Sequence, residues 1–474
     1  MSSEIPQPPG VPLLGNIFDV DPSDTWNSLI KLSRQYGPIC KINVLGKQIV
    51  FISNVALLEE ICDEHRFRKC VTGPVVEMRA CANDCLFTAY DNESIWGVAH
   101  RIMAPSVSTA TIKSETSFAD MATVIPDLTH KWTSGHQKRV LFTNDLDRLL
   151  MTSVMQCFYN QRTKVLNETD DPGENSPPLI EAWESITMEA MKRPTRPKLL
   201  TKLLYAKKFT SDIRLMREFA ANIVKARVDD TTQDRDDLLH ALLHNADPVS
   251  GERLSESRVV DEVVTMFIGA ATSANLVSYA LYYLLRNKEV LAKAREEIDS
   301  VVGGGSGGPT PISLEHLNEL HYIEAIIRET LRLSATAPGF NIEPIPTEDK
   351  SPILLAQGKY QIPHNQTMIS VLHTVNRDPD VFEEPESFIP ERMLGEKWEA
   401  LPKGARRGFG NGKRECYGKM WAWRWSIFTL ASIIHEVEFE FADPKYELTS
   451  NGAFSVKPLE FYGLVSPRER SPRL

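Results

Sequence analysis

Apolar residues recur along most of the chain at the three- and four-residue spacing of helices, and they alternate only in short stretches. Helical spacing predicts helices over residues 25–36, 54–65, 93–132, 140–159, 179–245, 255–287 and 321–333. Alternation predicts a hairpin over 39–52, with short strands over 353–355, 359–362 and 367–370. The pattern therefore predicts a mainly α fold with a minor β portion, in which the helix over 255–287 is the longest.

Polar residues interrupt every long apolar run, so no stretch of about 20 residues suits a membrane span. A formal net charge of −10 argues against nucleic acid as the main partner. The seven cysteines are scattered and show no zinc spacing, which is typical of a reducing compartment. We therefore expect a cytoplasmic protein without a membrane span.

The 474 residues are expected to form one domain over residues 1–465. The glycine-rich stretch 303–309 is interpreted as a flexible insertion, because helical spacing resumes at Leu314. Residues 466–474 are charged and contain proline, so they are interpreted as a tail or the start of a linker.

A glycine-rich loop over residues 409–418 contains a single cysteine, Cys416, directly before a long apolar helical pattern. The free N–H groups and positive end of a helix stabilise a thiolate at such a place. Gly410, Gly412 and Gly418 favour a tight turn that a flat group can approach closely. A thiolate beside a flat group indicates the axial ligand of a haem iron, and the alternative is an inert buried cysteine.

Three further signals accompany this loop. Glu329 and Arg332 stand three residues apart on one predicted helix face, where Arg392 can complete an ion-pair network. Residues 269–273 put small side chains and a hydroxyl, Thr272, in the middle of the longest helix. Alone, this small-residue patch would be interpreted as a kink or a close packing contact.

Together, in this order, the four signals resemble the cytochrome P450 family of haem-thiolate enzymes. The loop over 409–418 has a matching residue at every fixed position of the family's F-G-x-G-x-R-x-C-x-G signature. A closer similarity is to the haem domains of soluble, self-sufficient fatty-acid hydroxylases of bacteria and fungi, in which a reductase follows the haem domain. It is carried by residues 62–67, 86–88, 96–100 and 456–458. In microsomal members a proline-rich segment follows a membrane anchor; here it begins within ten residues of Met1, so no anchor is expected.

The resemblance implies haem b as the cofactor and Cys416 as its thiolate ligand. It implies that Arg414, Trp96 and His100 bind the haem propionates, that Phe409 and Gly410 pack beside the thiolate, and that Thr272 faces bound dioxygen. Glu329, Arg332 and Arg392 are expected to be structural. For the substrate pocket the resemblance implies Phe87, Ile268, Ala337 and Phe454 near the iron, and Val75, Met78 and Ala82 further out. Ordinary core packing is the alternative for each pocket residue.

Two residues depart from the family pattern. Most relatives have an acid directly before the helix threonine, where this chain has Ala271, which cannot act as a general acid. The fatty-acid hydroxylases have a cation and a tyrosine on the early hairpin, where this chain has Lys47 and Phe51. Lys47 keeps a charge for a carboxylate, although it is equally compatible with a solvated turn.

The resemblance implies a monooxygenase that inserts one oxygen atom from dioxygen into an apolar small molecule, a fatty acid or a secondary metabolite. Its electrons would come from an NADPH-dependent flavoprotein reductase, separate or fused. Ala271 motivates an alternative: a haem-thiolate enzyme that uses peroxide or catalyses rearrangement, dehydration or ring formation. A haem sensor without enzymatic activity is a third possibility that no residue favours.

Overall fold

A computed structural model describes residues 3–44, 46–163, 178–230, 237–303, 310–452 and 454–469. Residues 304–309 of the predicted insertion (303–309) and the end of the predicted tail, 470–474, lie outside these residues. Within them the protein is mostly helical with small sheets, which confirms the predicted fold class.

The helices of the described residues are labelled α1 to α18 in chain order. They are Thr25–Tyr36, Val55–Ile61, Pro74–Ala82, Ile95–Met103, Thr109–Ile112, Glu115–Thr133, Phe142–Tyr159, Pro178–Lys192, Lys198–Leu200, Ala206–Asp229, Leu238–His244, Glu256–Arg286, Lys288–Val301, Leu314–Glu319, His321–Ser334, Leu372–Val375, Gly395–Ala400 and Lys419–Glu436. A π-helical turn, Thr201–Tyr205, joins α9 to α10.

The strands of the described residues are labelled β1 to β10. They are Ile39–Val44, Lys47–Ile52, Phe67–Lys69, Lys138–Leu141, Asn341–Pro344, Ile353–Leu355, Tyr360–Ile362, Met368–Ser370, Val437–Phe441 and Tyr462–Pro467. They form one sheet in the order β1-β2-β8-β5-β3, another in the order β4-β10-β9, and a pair of β6 and β7.

The predicted hairpin is confirmed: β1 and β2 pair antiparallel, with Val44 opposite Lys47 beside the turn. Asn54 caps the next helix, since its side chain accepts a hydrogen bond from the N–H of Leu57 at 3.1 Å. The strands β3, β4, β5, β9 and β10 were not predicted.

The end of the described chain differs from the prediction. Ser466 and Pro467 pair with β9 in register with Glu438 and Val437, and the Arg468 guanidinium lies 2.7 Å from Asp299. The ordered part of the domain therefore extends past the predicted boundary at residue 465, because pairing with an existing sheet outweighs the charge and proline content of this segment.

Helix α12 lies at the centre of the main hydrophobic core, packed by α7, α10, α15 and α18. It is long and apolar enough to cross a membrane, but 78% of its most apolar window is buried inside the protein. No other helix of the described residues meets that criterion. The burial of α12 agrees with its interpretation as a core helix.

Candidate functional site

The cysteine loop forms a tight turn before α18. The N–H of Cys416 donates to the carbonyl oxygen of Phe409 at 2.8 Å, and the N–H of Gly410 donates to that of Arg407 at 2.9 Å. Gly410 and Gly412 have φ values of +87° and +62°, which glycine adopts without strain. A Cβ at Gly412 would also lie 2.0 Å from the Glu64 carboxylate, so the turn requires glycine there.

The Cys416 side chain is accessible to solvent but is closely surrounded by other atoms. Cys416 retains accessible surface, yet surrounding atoms are close enough that burial raises the pKa of its thiol. The Gly418 N–H and the charge of Lys69 oppose that rise. Enclosure together with accessibility fits a side chain that borders a cavity, where coordination to a metal would keep the thiolate.

Arg414 provides a specific test of whether haem fits this site. Its side chain is only 9% exposed, and its Nε and Nη2 atoms are buried and have no hydrogen-bond partner among the described residues. The Asp91 carboxylate lies 3.9 Å from Nε, beyond hydrogen-bond distance. Burial lowers the pKa of Arg414, although the charge of Asp91 partly opposes this. A buried guanidinium with two unused donors suits a carboxylate such as a haem propionate.

The two other residues expected at the propionates lie beside Arg414. The Arg414 guanidinium is 5.1 Å from the centre of the Trp96 ring, and that ring stacks on His100 with centroids 5.1 Å apart. Burial lowers the pKa of His100, and the charge of Arg101 lowers it further, so a neutral ring is favoured. Both rings are half-buried. The two distances show that the three predicted side chains lie together.

Helix α12 has accessible surface in the middle of its buried length. Gly269 is exposed and Thr272 is half-buried, whereas most of the residues around them are buried. A Cβ built on Gly269 would meet no atom within 4 Å, so there is open space beside the helix. The Thr272 hydroxyl donates to the carbonyl oxygen of Gly269 at 3.1 Å. α12 packs on α18, and Cys416 lies three residues before α18, so the arrangement is compatible with a flat group between the thiol and this surface.

Ala271 lies away from that accessible surface, with an exposed fraction of 1%. An acid at this position would have its first atoms inside the core rather than in open space. Position 271, where this chain has alanine instead of the acid, is therefore tightly packed.

Some of the predicted pocket residues come together. The Phe87 and Phe454 rings meet edge to face at 5.7 Å, and both are half-buried. The amide of Asn275 on α12 donates to the Ser455 hydroxyl at 2.7 Å. The N–H of Val456 donates to the carbonyl oxygen of Thr336 at 3.0 Å, which brings the 454–456 segment beside half-buried Ala337.

Other predicted pocket residues lie in different surroundings. Val75 is half-buried, whereas Met78, Ala82 and Ile268 are buried in the main core. Lys47 is exposed at the start of β2. Phe51, four residues later, is buried in the small core under the first sheet. The aromatic side chain at position 51 therefore packs inward. Because it is phenylalanine, position 51 provides no hydroxyl that could act together with Lys47.

The predicted structural network forms. The Arg332 guanidinium lies 2.7 Å from the Glu329 carboxylate, and Arg392 Nε lies 3.4 Å from the same oxygen. Burial lowers the pKa of Arg392, and the charge of Glu329 opposes this. The network joins α15 to the segment before α17.

Sequence reasoning did not predict three residues near the cysteine loop. Lys69 donates to the carbonyl oxygen of Arg414 at 2.5 Å, and Asp91 lies 2.8 Å from Lys413 and 2.7 Å from Arg68. The Tyr417 ring lies 5.7 Å from His100. Only Tyr417 carried a signal, its place directly after Cys416; Lys69 and Asp91 reach the loop through tertiary contacts.

Comparisons with known proteins agree with this geometry. A family model described as "Cytochrome P450" matches residues 5–464. The chain is 36% identical to "Self-sufficient cytochrome P450 monooxygenase CYP505E3" of Phanerodontia chrysosporium, over 100% of this chain and 44% of that protein. It is 33% identical to "Bifunctional cytochrome P450/NADPH--P450 reductase ascE" of Acremonium egyptiacum, over 98% and 43%. A third relative, "Self-sufficient cytochrome P450 monooxygenase CYP505AG1" of Oidiodendron maius (strain Zn), is 35% identical over 99% and 43%.

The chain thus spans less than half of the length of these relatives. The matched part covers the described elements from before α1 into β10.

Proposed function

Because the chain belongs to the cytochrome P450 family, whose cofactor is haem b, we propose that it is the haem-thiolate part of a monooxygenase. It would insert one oxygen atom from dioxygen into an apolar small molecule, with electrons from an NADPH-dependent flavoprotein reductase. The observation that carries this proposal is the accessible Cys416 thiol in its glycine turn, beside a buried Arg414 with two unused donors. The printed names of the relatives support the reductase as a partner.

Different residues would bind the iron and the propionates of the haem. Cys416 would ligate the iron, and Arg414 would bind a propionate with the two donors that have no partner. Trp96 and His100 would flank the same edge through their stacked rings. When bound, haem b supplies the redox chemistry that activates dioxygen, and the thiolate favours O–O cleavage.

Phe409 would shield the thiolate. Its ring meets Trp423 edge to face at 6.0 Å, and its carbonyl accepts the Cys416 N–H. Burial and hydrogen bonding around a ligating sulfur tune the potential of the metal that it binds.

Thr272 would transfer protons on the side of the haem site opposite Cys416. Its hydroxyl has one proton, which it donates to the Gly269 carbonyl, and the adjacent Ala271 side chain has no proton to give. A hydroxyl is a poor acid by itself, so the proton that Thr272 passes on must come from water or from the substrate. The same feature motivates the alternative chemistries, peroxide use or rearrangement, which the names of the relatives do not favour.

The substrate class follows from the lining. Phe87, Ala337 and Phe454 would present aromatic and aliphatic surface, which suits an apolar chain or ring system. Of the two hairpin positions, Lys47 has a charge that could bind a carboxylate, whereas Phe51 has no hydroxyl and is buried. A bulkier secondary metabolite is therefore as suitable as a fatty acid. The buried state of α12 supports a core helix rather than a membrane span, and a cytoplasmic location remains part of the proposal.

Two measurements test the proposal. The reduced protein with carbon monoxide should show the red-shifted Soret band of a thiolate-ligated haem, and Cys416→Ser should lose it. Turnover with a flavoprotein reductase, NADPH and isotopically labelled dioxygen should then place label in the product. Product formation with peroxide and without label from dioxygen would overturn the monooxygenase and support the alternative.

A further inference from the structure

Polar contacts tie the loop that carries Phe87 to the first turns of α12. The Arg258 guanidinium lies 3.1 Å from Asp84, and the Asn83 amide donates to Asp261 at 2.9 Å. Asp261 also accepts from Arg217 of α10 at 2.6 Å. These contacts fix the beginning of the loop, which lies at the end of α3.

Glu262 makes the contact next to Phe87. Its two carboxyl oxygens accept the N–H of Leu86 at 3.0 and 3.2 Å, and its exposed fraction is 2%. Leu86 directly precedes Phe87, whose ring meets Phe454 edge to face at 5.7 Å. The Glu262 carboxyl therefore holds the last peptide N–H before a predicted pocket residue.

Burying a carboxyl group at position 262 is energetically unfavourable because of its desolvation. The neighbouring residues on α12, Val259, Val260, Val263 and Val264, are buried in the main core. Burial of a carboxyl among aliphatic side chains is unfavourable unless its hydrogen bonds compensate. Among the described residues, only the Leu86 N–H donates to it. An aliphatic side chain would pack here with less desolvation, so stability alone does not account for Glu262.

We propose that Glu262 is a positioning residue that determines specificity: by holding the Leu86 N–H it sets the place of the Phe87 ring over the cavity. The ring then decides how well a long apolar chain is bound relative to a bulky polycyclic ligand. This inference rests on the proposed function, because it takes Phe87 as part of the substrate pocket.

The burial of Glu262 also changes its titration. Burial raises the pKa of its carboxyl to about 8, and the Leu86 N–H opposes that rise. Charged and titratable groups face it from each neighbouring element: Arg258 and Asp261 on α12, Asp84 and Cys85 on the loop, Tyr159 on α7, and Tyr417 on the cysteine loop. Burial raises the pKa of Cys85 to about 11 and those of Tyr159 and Tyr417 above their usual values. Glu262 should therefore ionise near pH 8, before that thiol and those phenols.

Ligand binding to the resting ferric protein, followed by the Soret shift, tests the proposal. The probes are palmitic acid and testosterone, and the readout is the ratio of their dissociation constants. Glu262→Leu leaves the Leu86 N–H without an acceptor, so the ratio should change about fivefold or more. Glu262→Gln keeps an acceptor but no titrating proton. It should keep the wild-type ratio at pH 7, and the change in ratio that we expect of the wild type between pH 7 and 9 should be absent.

Glu297 supplies a matched control. Its carboxyl accepts the N–H groups of Tyr322 and Ile323 at 2.6 and 3.0 Å, at the start of α15. Glu297→Leu removes the same kind of contact away from Phe87, so it should lower stability without changing the ligand ratio. An equal change in both Leu variants would overturn the assignment, since it would reflect general loosening.

A second readout does not depend on ligand. Hydrogen exchange of the Leu86 amide should accelerate about tenfold or more in Glu262→Leu and stay near the wild-type rate in Glu262→Gln. If Glu262→Leu does not fold, the pH dependence of Glu262→Gln decides alone, and a retained pH response overturns the proposal. If the wild type shows no thiolate Soret band, the proposed function is refuted. If the band is present and the ratio of dissociation constants is unchanged in Glu262→Leu, only the role of Glu262 is refuted.

Discussion

Arg332 and Glu329 form an ion pair that is almost completely buried, with Nη2 and Oε1 2.7 Å apart and side chains 2% and 0% exposed. Arg332 also donates to the carbonyl oxygens of Pro385 and Ser387, and Glu329 accepts the N–H of Ile389 at 2.9 Å. Both charges are therefore compensated by a second partner, which a buried pair needs in order to offset its desolvation.

Removing one partner of this pair should strongly destabilise the protein. Glu329→Leu leaves the Arg332 charge buried without its counter-ion, so the free energy of unfolding should fall by about 3–5 kcal/mol. Chemical denaturation measures this change. Arg34→Gln is the control, because Arg34 pairs with Glu386 on the surface with a side chain 59% exposed, and the loss there should be at most about 1 kcal/mol. Equal losses at both sites would contradict the assignment of the buried network.

Arg414 should control haem retention. Arg414→Leu removes the buried donors that have no protein partner, so the dissociation constant for haem should rise about 10- to 100-fold. Transfer of haem to an excess of apomyoglobin gives the rate and extent of loss. Lys413→Gln removes the adjacent cation, whose side chain is 51% exposed, and should change haem loss by less than about threefold. Comparable loss in both variants would place the propionate elsewhere.

An acid at position 271 should improve proton supply and reduce stability. Ala271 is buried, so the carboxyl in Ala271→Glu would be desolvated, would stay mostly neutral at pH 7, and should lower the free energy of unfolding by roughly 2–4 kcal/mol. If proton supply limits turnover, the fraction of NADPH converted into product should rise.

The matched variant for this test is Ala271→Gln, which has the same size and no titrating proton. It should lose similar stability without the gain in product per NADPH. An unchanged yield in Ala271→Glu would show that protons reach the reaction by another route.

Glu262 should make stability depend on pH. Its folded pKa, about 8, lies above its ordinary value of 4.5, so the folded state binds the extra proton between these values. Stability from this group is therefore fully present below about pH 4.5 and is lost as the pH rises through 8. The melting temperature of Glu262→Gln, relative to the wild type, should rise between pH 5 and 8.5.

Asp247 should show the opposite sign. Hydrogen bonds from Arg101, despite desolvation, lower the pKa of its carboxyl, with further help from Ser250. Asp247→Asn should therefore be less stable than the wild type at pH 7, and the difference should shrink as the pH falls below 4. Thermal melts over this range check both variants, and parallel pH curves for the two would refute this account of the carboxyls.

Most of the long helices were predictable because their stabilising contacts repeat at helical spacing along the sequence. The longest was predicted over 255–287 and is observed as Glu256–Arg286. β5 and β9 were missed because their neighbours, such as β8 and β10, are far away in the sequence. Residues 140 and 141, predicted as the start of a helix, belong to β4, which is a strand because it pairs with β10. In such strands tertiary pairing overrides local propensity.

The sequence alone determined the family. Cys416 and Arg414 match its motif in one loop, and Glu329 and Thr272 match its motifs on two helices, because these motifs require particular residue types at fixed spacings. Only the tertiary structure decided what surrounds them. It left two donors of Arg414 without partners, buried Ala271 and Phe51, and put Glu262 against the Leu86 N–H. Burial and hydrogen-bond partners depend on which distant segments meet, and no local pattern in the sequence specifies that.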